Sequence, residues 1–135
     1  MAEVKYTIKL PPVTKKNSQQ ILFNKSTGRP FIMPSTKYKQ YEREAVWFLK
    51  PRPLRPIEYA VNVECLFYMP NRRRTDLNNL LEAVTDLLVH AGILADDHYG
   101  IVVSHDGSRC YVDKDNPRTE ITITQIVDSA PDAQM

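Results

Sequence analysis

The sequence lacks the features that would place this protein in a membrane or in a scaffold held by disulfides or zinc. Its apolar runs are far shorter than the roughly 20 residues that a transmembrane helix needs. No apolar stretch with a small-residue cleavage site follows Met1, so the expected location is the cytoplasm, away from membranes. The two cysteines, Cys65 and Cys110, lie in separate segments without the spacing of a zinc site. We therefore expect two reduced thiols packed in the interior and no structural zinc.

The sequence also has no internal repeat and no low-complexity segment. Its 135 residues are enough for one hydrophobic core but not for two. Hydrophobic residues make up 42% and charged residues 25%, a balance typical of a globular chain rather than a disordered one. We therefore expect one domain over residues 1–127, followed by a frayed tail over residues 128–135.

The charge is divided unequally between the two halves of the chain. Residues 1–55 contain 12 Lys and Arg and 3 Asp and Glu, a net charge of +9. Residues 56–135 contain 6 Lys and Arg and 13 Asp and Glu, a net charge of −7. Lysines can simply keep an exposed face hydrated, and that reading stays open. A basic half is equally suited to the phosphates of a nucleic acid, while the acidic half is suited to holding cations.

Alternation of polar and apolar residues predicts four strands. They cover residues 5–10, 57–69, 100–105 and 118–127. After the first strand, residues 13–34 form a long polar connection, and connections of this length are usually functional or mobile. Within it, Ile21-Leu22-Phe23 and Phe31-Ile32-Met33 are suited to pairing as a small hairpin.

Helical spacing of apolar residues predicts two helices, of which the first begins at a Ser35 or Thr36 cap. It continues to about Leu49, where Pro51 and Pro53 end it. Its apolar stripe is expected to face the core rather than to stack on bases, because the opposite face carries the charge. The stripe consists of Tyr38, Tyr41, Ala45 and Phe48.

The second helix has the clearest periodicity in the chain. Thr75 is its candidate N-cap and Gly92 its candidate C′ residue. Its apolar stripe consists of Leu77, Leu80, Leu81, Val84, Leu88 and Ala91. The element order is therefore strand, long loop, helix, strand, helix, strand, strand. This order predicts a single α+β domain with two main helices packed on one face of a mixed sheet.

Charged residues of both signs gather around this second helix. Arginines occupy positions 72–74 just before it, Asp76 opens it, and the pair Asp96-Asp97 follows it. If the chain after Gly92 returns alongside the helix, the pair lies at the same end of the sheet as Asp76. Mg²⁺ prefers a few carboxylate oxygens with water and phosphate in the remaining positions, and guanidinium groups bind backbone phosphates. The stretch therefore predicts a metal-dependent nuclease.

Each of these residues also has a purely structural explanation. Asp76 in the first turn complements the helix macrodipole. Asp96 and Asp97 suit an ordinary turn, and the arginines at positions 72–74 suit a solvated loop. Spacing alone leaves both readings open.

The run Met69–Leu81, together with Asp86 and Asp96-Asp97, resembles the core of the RusA-type Holliday junction resolvases. Leu10-Pro11-Pro12 near the N-terminus and the alternating Ile-Thr strand near the C-terminus are also similar, so the resemblance spans residues 4–127. It implies a RusA-like fold in a small homodimeric endonuclease, often prophage-borne, that binds branched DNA. Members of this family cut four-way junctions during recombination and repair, with Mg²⁺ or Mn²⁺.

The resemblance also implies which residues act. Asp76 matches the first acid of the family motif, Asp97 matches its later metal-binding acid, and Asp96 matches the acidic neighbour. Asn78 occupies the position where the family usually has its second aspartate. Glu82 occupies the position where the best-known member has a catalytic lysine. The chain therefore lacks one charged metal ligand and one cation that would stabilise the phosphate.

Glu82 lies one turn from Asn78 on the same ridge of the helix, opposite the leucines. If Glu82 reaches the metal, the number of carboxylates at the site is unchanged. In that arrangement the predicted ligands are Asp76, Glu82 and Asp97, assisted by Asp96 or Asp86, while Asn78 offers a neutral oxygen. The catalytic set is then Asp76, Asn78, Glu82 and Asp97, around an activated water.

The predicted phosphate contacts would supply affinity without reading bases. They are Lys15, Lys16, Asn17, Arg72, Arg73 and Arg74. Apolar residues outside the helix stripe, Val89 and Leu22-Phe23, are candidates for the dimer interface. Two other functions stay open: a junction-binding protein that has lost cleavage through Asn78, and an interaction protein whose acids are structural. Metal-dependent cutting distinguishes the nuclease from the junction-binding protein. DNA binding distinguishes the junction-binding protein from the interaction protein.

Overall fold

The computed structural model describes residues 3–15, 19–34 and 36–127. In these stretches the elements are β1 (Glu3–Ile8), β2 (Gln19–Phe23), β3 (Pro30–Pro34), α1 (Thr36–Ala45), a 3₁₀ turn (Val46–Phe48), β4 (Val61–Met69), α2 (Leu77–His90), β5 (Val102–Ser104), β6 (Arg109–Val112) and β7 (Arg118–Gln125). The predicted tail over residues 128–135 and the predicted cap Ser35 lie outside the described residues.

Strand β4 is the centre of a mixed five-stranded sheet. On one side, β7 pairs with β4 antiparallel, and β1 pairs with β7 antiparallel. On the other side, β5 and β6 both run parallel to β4. Strands β2 and β3 form a separate antiparallel hairpin, as the apolar runs at Ile21 and Phe31 predicted.

One face of this sheet is buried and the other is partly open. Along β4 every second side chain from Val61 to Phe67 is buried, and the side chains between them are half-buried. The buried residues of α1 and α2 join the same core cluster as this face of the sheet. The prediction of an α+β domain with both helices on one face of a mixed sheet is therefore confirmed.

Helix α1 places its aromatic stripe in the core, as predicted. Tyr38, Tyr41 and Ala45 are buried. The helix is shorter than predicted, because the chain tightens into the 3₁₀ turn after Ala45. This turn leaves Phe48 half-buried against the core and Leu49 fully buried.

Helix α2 begins and ends with identifiable caps. The N-cap is Asp76, with extended backbone angles of φ −77° and ψ 132°, so the prediction of Thr75 was one residue early. Gly92 has φ +78°, the left-handed conformation of a C′ residue, as predicted. Leu77, the first helical residue, is 37% exposed and is not part of the core, because the first turn is not covered by the rest of the chain.

Strands β5 and β6 are two pieces of one interrupted edge strand beside β4. Between them, residues 105–108 leave the ladder, and side chains satisfy the backbone there. Asn62 accepts a hydrogen bond from the Asp106 N–H at 2.7 Å, and Ser108 accepts one from the Cys65 N–H at 2.9 Å. Gly107 supplies the turn with φ +89°.

The two cysteines differ in environment. Cys65 is buried, and burial raises the pKa of its thiol to about 12. Cys110 is exposed because it lies on the edge strand β6, so the prediction that both thiols are packed inside was wrong for this residue. Both are free thiols. Among the described residues, no helix combines the length and apolar character that a bilayer crossing requires.

Candidate active site

The arginine loop, residues 71–76, connects the end of β4 to the start of α2. The Asn71 side chain accepts a hydrogen bond from the Arg73 N–H at 2.9 Å, which forms an Asx turn and fixes the start of the loop. The side chains of Arg72, Arg73 and Arg74 are all exposed. The loop therefore presents three guanidinium groups at the C-terminal end of the central strand β4.

Two clefts lie against the arginine loop. One, of about 470 Å³, lies between the loop, the start of α2 and the edge strand β6, and its lining includes Arg72, Arg73 and Tyr111. The other, of about 390 Å³, lies between the loop and residues 12–14, and its lining includes Arg73, Arg74 and Lys37. Arg73 borders both clefts, so an anion in either of them would lie beside the loop's cations.

Asp76 opens α2 at the end of this loop. It is exposed, and its carboxylate makes no cap hydrogen bond to the helix. The capping role that would explain an acid at this position is therefore not used, although the carboxylate still complements the helix macrodipole.

The predicted partners of Asp76 lie at the other end of the helix. The N–H groups of Ile93 and Leu94 donate to the Leu88 carbonyl oxygen at 2.9 and 3.2 Å. The N–H of Ala95 then donates to the Ile57 carbonyl oxygen at 2.9 Å, before the start of β4. The following residues, Asp96 and Asp97, therefore stay at the C-terminal end of α2.

The prediction that these acids return to the end of the sheet where Asp76 lies was wrong. Helix α2 has 14 residues and spans about 21 Å. The chain after Gly92 turns toward residue 57 instead of running back along the helix. Within one chain, Asp76 and Asp97 are consequently too far apart to bind the same ion.

Within the described ranges, no three His, Cys, Asp or Glu side chains form a group that could hold a metal ion. At the C-terminal end, the Asp96 Oδ1 accepts a hydrogen bond from the Asp97 N–H at 2.7 Å, and both residues are exposed. The acids of a single chain therefore do not by themselves fit a divalent cation, and the predicted ligand roles stay predictions.

The ridge of α2 opposite the leucines has the predicted members but a different charge balance. Asn78 and Glu82 are exposed, and Asp86 is half-buried. The Asp86 Oδ2 forms an ion pair with the Lys15 Nζ at 3.1 Å. Asp86 is therefore engaged by a cation rather than free to assist a metal. Lys15, which was predicted to contact phosphate, forms this ion pair with Asp86 instead.

Lys15 also approaches the ring of Tyr38, with its Nζ 5.7 Å from the ring centroid. Burial is the main reason why the pKa of Tyr38 is raised above its ordinary value, and the nearby charges of Glu42, Asp86 and Glu82 raise it further. Glu82 therefore lies close enough to α1 to act on a buried tyrosine, which stays protonated.

Other predicted residues fall in different places. Lys16 and Asn17 lie outside the described residues, as does the side chain of Leu22. Phe23, at the end of β2, is 65% exposed. Val89 is half-buried and packs against the core, so it is less available for an interface than its position on the helix predicted.

A row of stacked side chains on the open face of the sheet was not predicted. The rings of Tyr68 and Tyr111 stack with centroids 5.1 Å apart and an interplanar angle of 18°. The guanidinium of Arg118, on β7, lies 3.7 Å from the ring centroid of Tyr68, on β4. The only sequence signal was the spacing of Arg109 and Tyr111, two residues apart in a segment too short to predict a strand.

The fold is an α+β domain in which an exposed cationic loop leads into a helix whose N-cap residue is an acid, Asp76. Residues 9–124 match the model of a family described as Endodeoxyribonuclease RusA, which covers most of the chain. The protein therefore belongs to the RusA endodeoxyribonuclease family, and the resemblance noted from residues 69–97 is confirmed.

A curated relative supports the same family. Over 99 residues the chain is 27% identical to a protein of Aquifex aeolicus (strain VF5) named crossover junction endodeoxyribonuclease RusA. The alignment covers 73% of this chain and 75% of the relative. Family membership indicates a nuclease that acts on DNA.

Proposed function

We propose that this protein is a homodimeric endodeoxyribonuclease that resolves four-way DNA junctions in recombination and repair, with Mg²⁺ or Mn²⁺. The observation that carries the proposal is the arginine loop beside Asp76, flanked by two clefts, in a chain of the RusA family. The name of the Aquifex relative specifies a crossover junction, and we extend that substrate to this chain.

The arginine loop is suited to holding the DNA backbone. One guanidinium group can donate two parallel hydrogen bonds to phosphate oxygens, and such contacts give affinity without sequence information. The Asx turn at Asn71 and the adjoining strand β4 hold the start of the loop, so its backbone needs little ordering when DNA binds. Lys37 extends the positive surface into the second cleft.

The separation of the acids supports a site shared between two copies of the chain. If two α2 helices pack antiparallel about a two-fold axis, Asp76 of one subunit lies beside Asp96 and Asp97 of the other. The same axis repeats this arrangement at the other end of the helix pair. Two such sites would match the two symmetric cuts that junction resolution requires.

In this proposal each chain contributes different groups to each site. Asp76 approaches with the arginine loop that holds the phosphate, and Asp97 brings the second carboxylate from the partner subunit. A divalent cation bound there would activate a water and stabilise the charge that develops on the phosphate oxygens. Asn78 and Glu82, one turn apart and both exposed, lie on the helix between the two sites.

Cleavage of labelled four-way junctions tests the proposal directly. The protein is incubated with junction and Mg²⁺, Mn²⁺ or EDTA, and the strands are resolved on a denaturing gel, with linear duplex of the same sequence as the control. We expect paired nicks in opposite strands that require the cation. Light scattering in parallel should give the mass of a dimer, and a monomer at micromolar concentration would contradict the shared site.

One alternative function has specific observations in its favour. Asn78 removes an acid from the family motif, and Lys15 neutralises Asp86 on the same ridge. These changes favour a protein that binds junctions without cutting them. Tight junction binding with no product in either metal would establish that alternative. Absence of DNA binding would instead favour an interaction protein whose acids are structural.

A further inference from the structure

The row of stacked side chains on the open face of the sheet ends at the sheet edge. Arg118, Tyr68 and Tyr111 are register partners on β7, β4 and β6, in that order. Strand β6 pairs with β4 alone in the described part of the chain. The outer face of the Tyr111 ring is therefore not covered by a further strand, and the residue is 42% exposed.

The inner part of the row is held in place by charge-assisted hydrogen bonds. Arg118 donates to the Glu120 carboxylate at 2.8 Å and to the Asp113 carboxylate at 2.9 Å. Its guanidinium covers one face of Tyr68, and Tyr111 covers the other. The outermost ring thus rests on a fixed base, and the two nearby acids are engaged by Arg118.

A cation lies beside the outermost ring. Arg109 is exposed and lies two residues before Tyr111 on β6, so both side chains are on the open face. Arg72 and Arg73 instead line a cleft on the helix-covered side of β6, together with Leu80 of α2. An aromatic face beside a guanidinium group suits a ligand that is planar, stackable and attached to phosphate.

We propose that Tyr111 is a stacking site for an unpaired nucleobase of the DNA substrate, with a flanking phosphate held by Arg109. This inference rests on the proposed function and adds that the protein recognises an unstacked base. In a fully paired duplex both faces of each base are covered by its neighbours, so this site favours DNA in which a base can leave the stack. Charge also favours DNA over a second copy of the chain here, because a second copy would bring its own arginines to this edge.

The test compares binding to two DNA probes by three variants and the unaltered protein. The probes are a duplex with a short bubble of unpaired thymines, one of them replaced by iodouracil for crosslinking, and a fully paired duplex of equal length. The variants are Tyr111→Ala, Tyr111→Phe and the control Tyr59→Ala, which removes a tyrosine of similar exposure, 40%, that precedes β4.

We expect Tyr111→Ala to weaken bubble binding roughly 5- to 150-fold and duplex binding less than about twofold, because stacking acts only on exposed base faces. Tyr111→Phe should retain bubble binding, since phenylalanine keeps the ring, and Tyr59→Ala should behave as the unaltered protein. Ultraviolet light should crosslink the iodouracil to Tyr111, as mass spectrometry of the digested adduct can verify.

Three results would overturn the stacking site without touching the proposed function. They are an equal loss on both probes with Tyr111→Ala, a crosslink that maps elsewhere, and a change in dimer mass with Tyr111→Ala, which would make this edge an interface between copies. If the unaltered protein binds neither probe nor a four-way junction, the proposed function fails as well. Unchanged circular dichroism of Tyr111→Ala excludes misfolding as the cause of any loss.

Discussion

The two ends of helix α2 present different parts of the site that we propose for phosphodiester cleavage. At the N-terminal end, Asp76 adjoins three exposed arginines and two clefts. At the C-terminal end, backbone hydrogen bonds to Leu88 and Ile57 fix a turn that presents Asp96 and Asp97 side by side. The acids that we propose to act on one ion are therefore separated, within one chain, by a helix about 21 Å long.

The largest expected effect comes from removing one acid at either end. Asp76→Asn and Asp97→Asn should each lower cleavage roughly 100-fold or more, because each removes a carboxylate from the proposed ion site. Junction binding should be preserved or tightened, because a negative charge near the phosphate is lost. Gel cleavage and gel-shift assays on the same preparations measure both quantities. Full cutting by Asp97→Asn would place the metal elsewhere.

Mixing these two variants tests whether the two ends of α2 act together across subunits. In a dimer that contains one of each, one shared site has lost both acids and the other keeps both. After subunit exchange, about half of the dimers should be mixed, and activity should return to about a quarter of the wild-type number of sites. These mixed dimers should nick one strand per binding event. If the mixture stays inactive while an affinity tag on one variant co-purifies the other, the acids are not shared between chains.

The middle of the helix gives the next effect. If Glu82 supplies the carboxylate that Asn78 lacks, Glu82→Gln should eliminate metal-dependent cleavage, while Asn78→Asp alone should change it modestly. We expect this outcome, because Glu82 is exposed and lies one turn from Asn78 on the same ridge of the helix. The opposing outcome is that Glu82→Gln has little effect and that Asn78→Asp with Glu82→Lys creates activity. Cleavage rates of these variants beside the unaltered chain decide between them.

A smaller effect is expected from single arginines. Arg73 borders both clefts, and Arg73→Ala should reduce the slope of log affinity against log salt by roughly one, as for one lost phosphate contact. Arg55→Ala removes the same charge from an exposed position near Ile57, toward the other end of the helix, and serves as the control. Fluorescence anisotropy with junction DNA across a salt series measures both slopes. Equal slopes for both variants would mean that the loop has no special role.

The smallest effect concerns the turn at the C-terminal end of α2. Gly92→Ala should lower the free energy of unfolding by about 1 kcal/mol, because φ +78° disfavours a side chain, although an added Cβ meets no atom within 4 Å. Gly92→Asn should lose less, since asparagine tolerates this conformation better. Thermal unfolding by circular dichroism compares the three proteins. Equal stability of Gly92→Ala and the unaltered chain would contradict the conformational argument.

The sequence predicted local features well and long-range placement poorly. Apolar periodicity identified α2 and β4, and the glycine at the end of α2 was recognised because a left-handed residue is a local requirement. The family could be named because the residues from Met69 to Leu81 are contiguous. The path after Gly92 could not be predicted, since it depends on backbone hydrogen bonds to Ile57, which is distant in sequence.

The same limit explains what was missed at the site. The ion pair between Lys15 and Asp86 joins segments far apart in the chain, so no pattern of neighbouring residues predicts it. Strand β6 has four exposed residues, and the stacking of Tyr111 can be recognised only from its pairing with Tyr68 on β4. Local spacing thus indicated candidate groups for the chemistry, whereas the side chains beside them are set by the topology of the sheet.

The interruption between β5 and β6 also protects the protein against aggregation. A long edge strand offers unpaired backbone groups on which another chain can form a cross-β assembly. Here a turn divides the edge into pieces of three and four residues. At this turn the Asn62 side chain accepts a hydrogen bond from the Asp106 N–H, and the Ser108 side chain accepts one from the Cys65 N–H. Each piece is too short to serve as a template for fibril growth, so an exposed tyrosine can remain on this edge without making the protein prone to self-association.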